Sequence, residues 1–345
     1  MNVLITGSAG LIGSAATKLF LDQGYVVHGV DNNSRAQFFG EEGSTDKIKH
    51  ELEKQQNYTH HQLDIRDSEN MKEVFKTNTF DVIIHAAAQP SHDWSGKFPV
   101  IDFEINAFAT VQLLELTREF APDAAFIFTS SSKVYGDHPN NLPLIESESR
   151  YDLPQKHELY HGVPETMSVD HSMHSPYGAG KLAADVMVQE FGRYYGMKTT
   201  VLRCNCLTGP AHAGAKLHGF LSYLVKCIVR GEEYVVNGYK GKQVRDNIHA
   251  DDLVAAMYEV AQKPGSGVVY NIGGSRENSV SILEAIKLIE EISGKTAKYT
   301  IAPEARRGDH IWYISDNRNF QKAYPNWNLK YPIKKVLTEM IRALS

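Results

Sequence analysis

The sequence predicts an α/β protein, a doubly wound parallel sheet with a smaller C-terminal lobe. Two observations carry the prediction. Short β-type apolar runs alternate with helical stretches along most of the chain, the pattern of βαβ units. The first of those runs, residues 2–6, enters the glycine-rich turn Gly7-Ser-Ala-Gly10-Leu11-Ile12-Gly13, and residues 14–23 then have helical composition. Glycines placed between strand and helix let backbone N–H groups approach a pyrophosphate at a helix N-terminus.

At 345 residues, 42% hydrophobic and 22% charged, the chain can bury a large core as one or two domains. A formal net charge of -5 without any basic run argues against a nucleic-acid surface. No stretch of about 18 uninterrupted apolar residues suggests a membrane span, and the expectation is a cytoplasmic protein. Cys204, Cys206 and Cys227 lack zinc-site spacing and read as reduced thiols. His157, His161, His171 and His174 fall among Pro154, Gly162 and Pro164, which reads as a polar loop over a site rather than a metal centre.

The next apolar run, 25–30, ends in Asp31, about twenty positions after the glycine turn, followed by Asn32. A carboxylate there accepts both ribose hydroxyls of adenosine and repels a 2′-phosphate, which favours NAD over NADP. Arg35 keeps the other cofactor open, since a nearby arginine can host that phosphate. Residues 32–56 are polar and irregular. A third strand, 58–63, ends in Asp64-Ile65, where adenine would lie, and 67–76 suits a short helix. Residues 82–86 form a buried parallel strand, and small Ala86, Ala87 and Ala88 leave room for a flat cofactor at its carboxyl end.

Residues 102–120 read as one amphipathic helix with Asn106 near its start, and 125–129 as the fifth strand. That strand runs into Ser130-Ser131-Ser132-Lys133, a hydroxyl-rich strand end of the kind that holds ligands in open α/β sheets, or a capped loop. Residues 146–173 have the length of a lid. Ser175-Pro176 reads as an N-cap followed by a first-turn proline, starting a helix near Tyr177. Lys181 lies four residues on, so phenol and ammonium share a helix face and the cation can stabilise a phenolate. Further on come a strand at 199–203, helices at 217–230, from Asp251, at 282–292 and at 333–344, and a strand at 268–272.

Assembled, these pieces resemble the extended short-chain dehydrogenase/reductase family, and its nucleotide-sugar epimerases in particular. The likeness covers essentially the whole chain. It is carried by the glycine turn, by residues 102–106, by Lys133-Val-Tyr-Gly-Asp137, by His174-Ser-Pro-Tyr-Gly178 with Lys181 and Ala183-Ala-Asp185, and by Gly241-Lys-Gln-Val-Arg-Asp246. A narrower likeness is to the members that act on CDP-linked deoxyhexoses. The chain departs from that pattern at 32–56 and at Cys204-Asn205-Cys206.

The resemblance implies a catalytic Ser131, Tyr177 and Lys181, with Ser131 taken over Ser130 and Ser132 because it lies four residues before Tyr135. It implies bound NAD on Gly7, Gly10, Leu11, Ile12, Gly13, Asp31, Asn32, Asp64, Ile65, Ala86, Ala87, Ala88, Asn106, Tyr177 and Lys181. The nucleotide sugar would meet Ser131, Ser132, Lys133, Asn205, Arg245 and Arg306, the two arginines on its diphosphate. Arg307 could exchange roles with Arg306, or Arg306 could be a plain surface arginine.

The family's 4,6-dehydratases carry an Asp-Glu pair after the catalytic hydroxyl, where this chain has Ser132 and Lys133. The expected activity is therefore epimerisation through a keto intermediate, CDP-paratose to CDP-tyvelose at C2. A UDP-sugar 4-epimerase is the alternative enzyme, and a non-catalytic NAD-binding regulatory protein the alternative class. A homodimer is expected by resemblance. The expected division is a dinucleotide domain of residues 1–203 with 240–275, and a nucleotide-sugar lobe of 204–239 with 276–345.

Overall fold

The computed structural model describes residues 1–212, 219–306 and 308–344. The chain falls into two compact units, one of Met1–Val134, Pro176–Arg203 and Leu253–Tyr270, the other of Tyr135–Ser175, Cys204–Asp252 and Asn271–Ser345.

In the first unit a seven-stranded sheet has the spatial order Val268–Ile272, Thr199–Cys204, Ala125–Ser131, Val82–His85, Asn2–Thr6, Val26–Val30, Tyr58–His61. The central strands pair in parallel, Val3 opposite Val27 on one side and Val82 on the other. Every residue of Val82–His85 is buried, the reason this strand reads as a continuous apolar run. The chain builds outward from Asn2–Thr6, then returns to build the other way from Val82–His85. That reversal is the switch point at which open α/β sheets form a ligand crevice. The core on one side of the sheet joins Leu4, Ile83, Phe126 and Phe128 to Leu113 and Leu114 and to Ala184, Val188 and Phe191.

The expected helix over 102–120 is interrupted. Pro99–Phe103 is α-helical, Glu104–Phe108 makes a wide π turn, and Ala109–Phe120 resumes the α-helix. The Tyr177 helix runs Ser175–Tyr195. Its expected N-cap differs in geometry: Ser175 has a left-handed φ of 61°, where an N-cap would be extended. Pro176 disfavours the right-handed helical region for the residue before it. Residues 32–56 contain the short helices Ser34–Phe39 and Asp46–Leu52, joined by the turn Glu41–Gly43.

In the second unit, Val244–His249 pairs in parallel with Cys206–Thr208 and with Trp312–Tyr313, and antiparallel with Ser279–Ser281. The helices Phe220–Arg230, Ile282–Ser293 and Ile333–Arg342 enclose a separate core that includes Leu224, Ile228, Ile286, Ile289, Leu337 and Met340. Residues 217 and 218 of the expected helix over 217–230 lie outside the described residues. Ser281 caps the Ile282 helix in a reciprocal box with Glu284.

The division differs from the expected one. Residues 135–175, 240–252 and 271–275 belong to the second unit, because Val244–His249 finds its sheet partners there. The expected lid over 146–173 is tied down within that unit. Arg276 grips Asp152 with two nitrogens at 2.8 and 2.9 Å, Trp312 Nε1 donates to Asp152 at 3.1 Å, and Asn271 Nδ2 donates to the Val163 carbonyl at 2.7 Å.

Candidate active site

The glycine turn is shaped by steric need. Gly7 has a φ of 68°, and a Cβ on it would stand 2.9 Å from the Ala87 backbone. A Cβ on Gly13 would stand 2.0 Å from the Gly7 carbonyl oxygen, so the helix can approach the strand end only without one. At Gly10 the one atom near a Cβ would be that same oxygen, at 3.2 Å, which leaves the outer side of the turn open. The helix Leu11–Asp22 starts there, and the N–H groups of Leu11, Ile12 and Gly13 have no acceptor within it. This cradle fits a dinucleotide pyrophosphate.

Asp31 sits beside the cradle. Its Oδ2 accepts from the Ala9 N–H at 3.1 Å and its Oδ1 from the Asn33 N–H at 2.8 Å. Arg35, on the following helix, is lowered by burial while the Asp31 carboxylate acts the other way. Asn32 and Asp64 meet, Asn32 Nδ2 donating to Asp64 Oδ2 at 2.9 Å. Burial pushes Asp64 up, but hydrogen bonds from Arg66 and Asn32 outweigh it and hold the carboxyl below its usual range. Ile65 is buried beside it. Ala86, Ala87 and Ala88 are half-buried at the end of Val82–His85, and the Ala87 N–H donates to Thr6 Oγ1 at 3.2 Å.

Lys181 is 2% exposed. Its Nζ donates to the Thr129 carbonyl at 2.7 Å and lies 4.2 Å from the centroid of the Phe128 ring, so the cation is held at the end of the Ala125–Ser131 strand. Tyr177, half-buried, precedes it by about one helical turn. Ser131 is half-buried and its Oγ accepts from the Lys133 N–H at 3.2 Å. Ser132 is buried. Ser130 is occupied elsewhere, donating to Asp185 at 2.6 Å.

Asp185 is a site feature that sequence reading left without a role, although it lies four residues beyond Lys181, one turn along the same helix face. It also accepts from Gln189 and, twice, from Arg203 on the adjacent strand. His85 is another. It bridges Thr6 Oγ1 at 2.7 Å and Thr110 Oγ1 at 3.0 Å, and burial, with the Lys181 charge adding, lowers it to about 3. Asn106 lies in the π turn, its amide exchanging hydrogen bonds with the Gln89 backbone.

In the second unit Arg245 is 7% exposed, and its guanidinium donates to Asp309 Oδ1 at 2.6 Å and to the His310 carbonyl. Asn205 Nδ2 donates to Asp246 Oδ1 at 2.6 Å. Arg306 is exposed, and Arg307 lies outside the described residues. Among the described residues no cluster of His, Cys, Asp and Glu is arranged to hold a metal ion, and no helix is long and apolar enough to cross a membrane.

Comparison with known proteins agrees with this geometry. A CDP-paratose 2-epimerase of Salmonella typhi is 30% identical over 99% of this chain and 98% of its own length. A dTDP-glucose 4,6-dehydratase of Escherichia coli strain K12 is 28% identical over 94% of this chain and 84% of its own. The crystal structure of a UDP-glucose 4-epimerase of Thermotoga maritima with UDP-glucose superimposes with a TM-score of 0.80 at 28% identity, covering 99% and 98% of the two chains. Residues 3–273 match the family model of NAD-dependent epimerases and dehydratases. With its glycine cradle, its Asp31 and its buried Lys181, the chain belongs to the NAD-dependent epimerase/dehydratase family, enzymes of nucleotide-sugar chemistry that use NAD.

Proposed function

We propose that this enzyme inverts C2 of a CDP-linked deoxyhexose, converting CDP-paratose to CDP-tyvelose through a keto intermediate. The observation that carries the epimerase reading is the seating of Lys181. Its charge is buried one helical turn from Tyr177, where it favours the phenolate that removes a proton from a sugar hydroxyl. Bound NAD supplies reversible acceptance of the hydride from the same carbon.

Ser131 orients the sugar oxygen toward Tyr177. The choice of Ser131 is supported by the engagement of Ser130 with Asp185 and the burial of Ser132. Arg245, held by Asp309, and Arg306 supply guanidinium groups for the diphosphate. Ser132 and Lys133 stand where dehydration would need an acid–base carboxylate pair, which supports epimerisation over water loss.

The likeness to the UDP-glucose 4-epimerase of Thermotoga maritima supports a second reading, inversion of a UDP-hexose at C4 by the same residues. A substrate panel read by NMR separates the two. With CDP-paratose deuterated at C2 we expect labelled CDP-tyvelose and no deuterium taken from D₂O. Solvent deuterium at C2 would refute the mechanism. Inertness toward CDP-paratose with brisk inversion of a UDP-hexose would move the assignment to C4.

A further inference from the structure

His92 is the first residue of the short helix His92–Lys97, on the segment that follows the Val82–His85 strand. Its ring centroid stands 4.8 Å from that of Tyr177, with the planes inclined at 52°. The segment is held by a knot of buried polar groups. Gln89 Oε1 accepts from the Ser91 N–H at 2.5 Å, and its Nε2 donates to the Ser91 carbonyl at 2.9 Å and to Asp102 Oδ1 at 2.5 Å. Asn106 Nδ2 donates to the Gln89 carbonyl at 3.0 Å and to the same Asp102 oxygen at 3.1 Å. Gln89, Ser91, Asp102 and Asn106 are each at most 1% exposed.

The same knot abuts the Tyr177 helix. A Cβ on Gly180 would lie 3.3 Å from Asp102 Oδ2 and 3.6 Å from Asn106 Cβ. One interconnected network therefore fixes both the His92 segment and the Tyr177 helix, and such networks specify a single geometry.

We propose that His92 is a positioning residue for Tyr177: its ring leans on the phenol and keeps water from it, so the Lys181 charge acts on the hydroxyl through a poorly screening medium. The inference rests on the reading of Tyr177 as the acid–base residue. Attraction between charges strengthens as the local dielectric falls. Admitting water beside the phenol weakens the hold of Lys181 and lets the tyrosine drift back toward its ordinary value. The other titratable groups on the elements packed here are Asp93 on the His92 helix, Lys181 on the Tyr177 helix, Asp102 ahead of the π turn and His85 on the neighbouring strand. Burial raises Asp102 and keeps His85 neutral.

The test measures kcat and KM against pH for the enzyme, His92→Ala and His92→Phe, with Tyr177→Phe alongside. For His92→Ala we expect kcat at neutral pH to fall about tenfold, KM to stay within about twofold, and the acid limb of kcat to move up by about one pH unit. The tyrosinate absorbance that disappears in Tyr177→Phe should titrate at correspondingly higher pH in His92→Ala. His92→Phe restores the cover and should keep both limb and kcat near the starting values.

An unmoved acid limb in His92→Ala, a change in KM alone, or a His92→Phe variant as impaired as His92→Ala would each overturn the proposal. Should His92→Ala fail to fold, His92→Asn carries the same expected shift. Retained turnover in Tyr177→Phe would sink the acid–base reading itself, a result separate from any outcome at His92.

Discussion

Asp185 and Arg203 form a two-pronged ion pair, Nε and Nη2 of the arginine each 2.9 Å from a carboxylate oxygen, with Asp185 wholly buried. The pair ties the Tyr177 helix to the Thr199–Cys204 strand, and Ser130 extends the tie to the strand that ends at Ser131. Removing one partner strands a buried charge, so Asp185→Ala or Arg203→Met should each cost about 3–5 kcal/mol in urea unfolding. Replacing both with apolar residues should cost less than either single change.

Tyr177→Phe should lower turnover by about 10²–10⁴-fold while leaving NAD bound, because only the ionisable hydroxyl is lost. Lys181→Met should weaken both turnover and cofactor retention. Turnover assays beside cofactor content of the denatured protein distinguish the two patterns.

The protein should purify with NAD(H) bound, since release in mid-cycle would abandon a ketone. Asp31→Ala should lower that content, because it removes the carboxylate placed for the ribose and the acceptor of the Ala9 N–H in the cradle. Recovery of NADP(H) from the supernatant would overturn the role given to Asp31.

His85 gives the stability a pH dependence. Its folded value of about 3 lies below the ordinary histidine value of 6.5, so between them the unfolded chain binds a proton that the folded chain refuses. This contribution is fully present above about pH 6.5 and is lost as pH falls, at about 1.4 kcal/mol per pH unit down to the folded value. Urea unfolding of the protein and of His85→Asn at several pH values between about 5 and 7 should show a slope that the variant lacks.

Val100, Phe103 and Phe108 before and within the wide turn, and Val186, Tyr194 and Tyr195 on the Tyr177 helix, are exposed apolar side chains. We expect a second copy of the chain to cover them, giving a dimer mass in light scattering at micromolar concentration. Phe108→Asp and Val186→Asp should shift that mass toward the monomer.

The parts of the fold that sequence reading recovers are local ones. The Asn2–Thr6 strand, the glycine turn and Asp31 lie within about thirty residues, and Tyr177 and Lys181 share one helix, so spacing alone relates them. The π turn escapes because one extra residue leaves the apolar periodicity of 102–120 nearly intact. The anchoring of 146–173 escapes because Arg276 and Trp312 lie more than a hundred residues from Asp152. The engagement of Arg245 by Asp309 and the meeting of His92 with Tyr177 have the same origin: each joins residues on separate elements through packing that no short motif encodes.

The wide turn at Glu104–Phe108 sets the phase of everything that follows it. Each helical residue rotates the chain by about 100°, and a π turn absorbs one such step without passing it on. Deleting a single residue there would give an unbroken helix in which Asn106 and the apolar stripe of Ala109–Phe120 could no longer face their partners together. A chimera that joined this chain to a relative inside residues 99–120 would splice two incompatible rotational frames, whereas crossovers placed before Pro99 or after Phe120 preserve them.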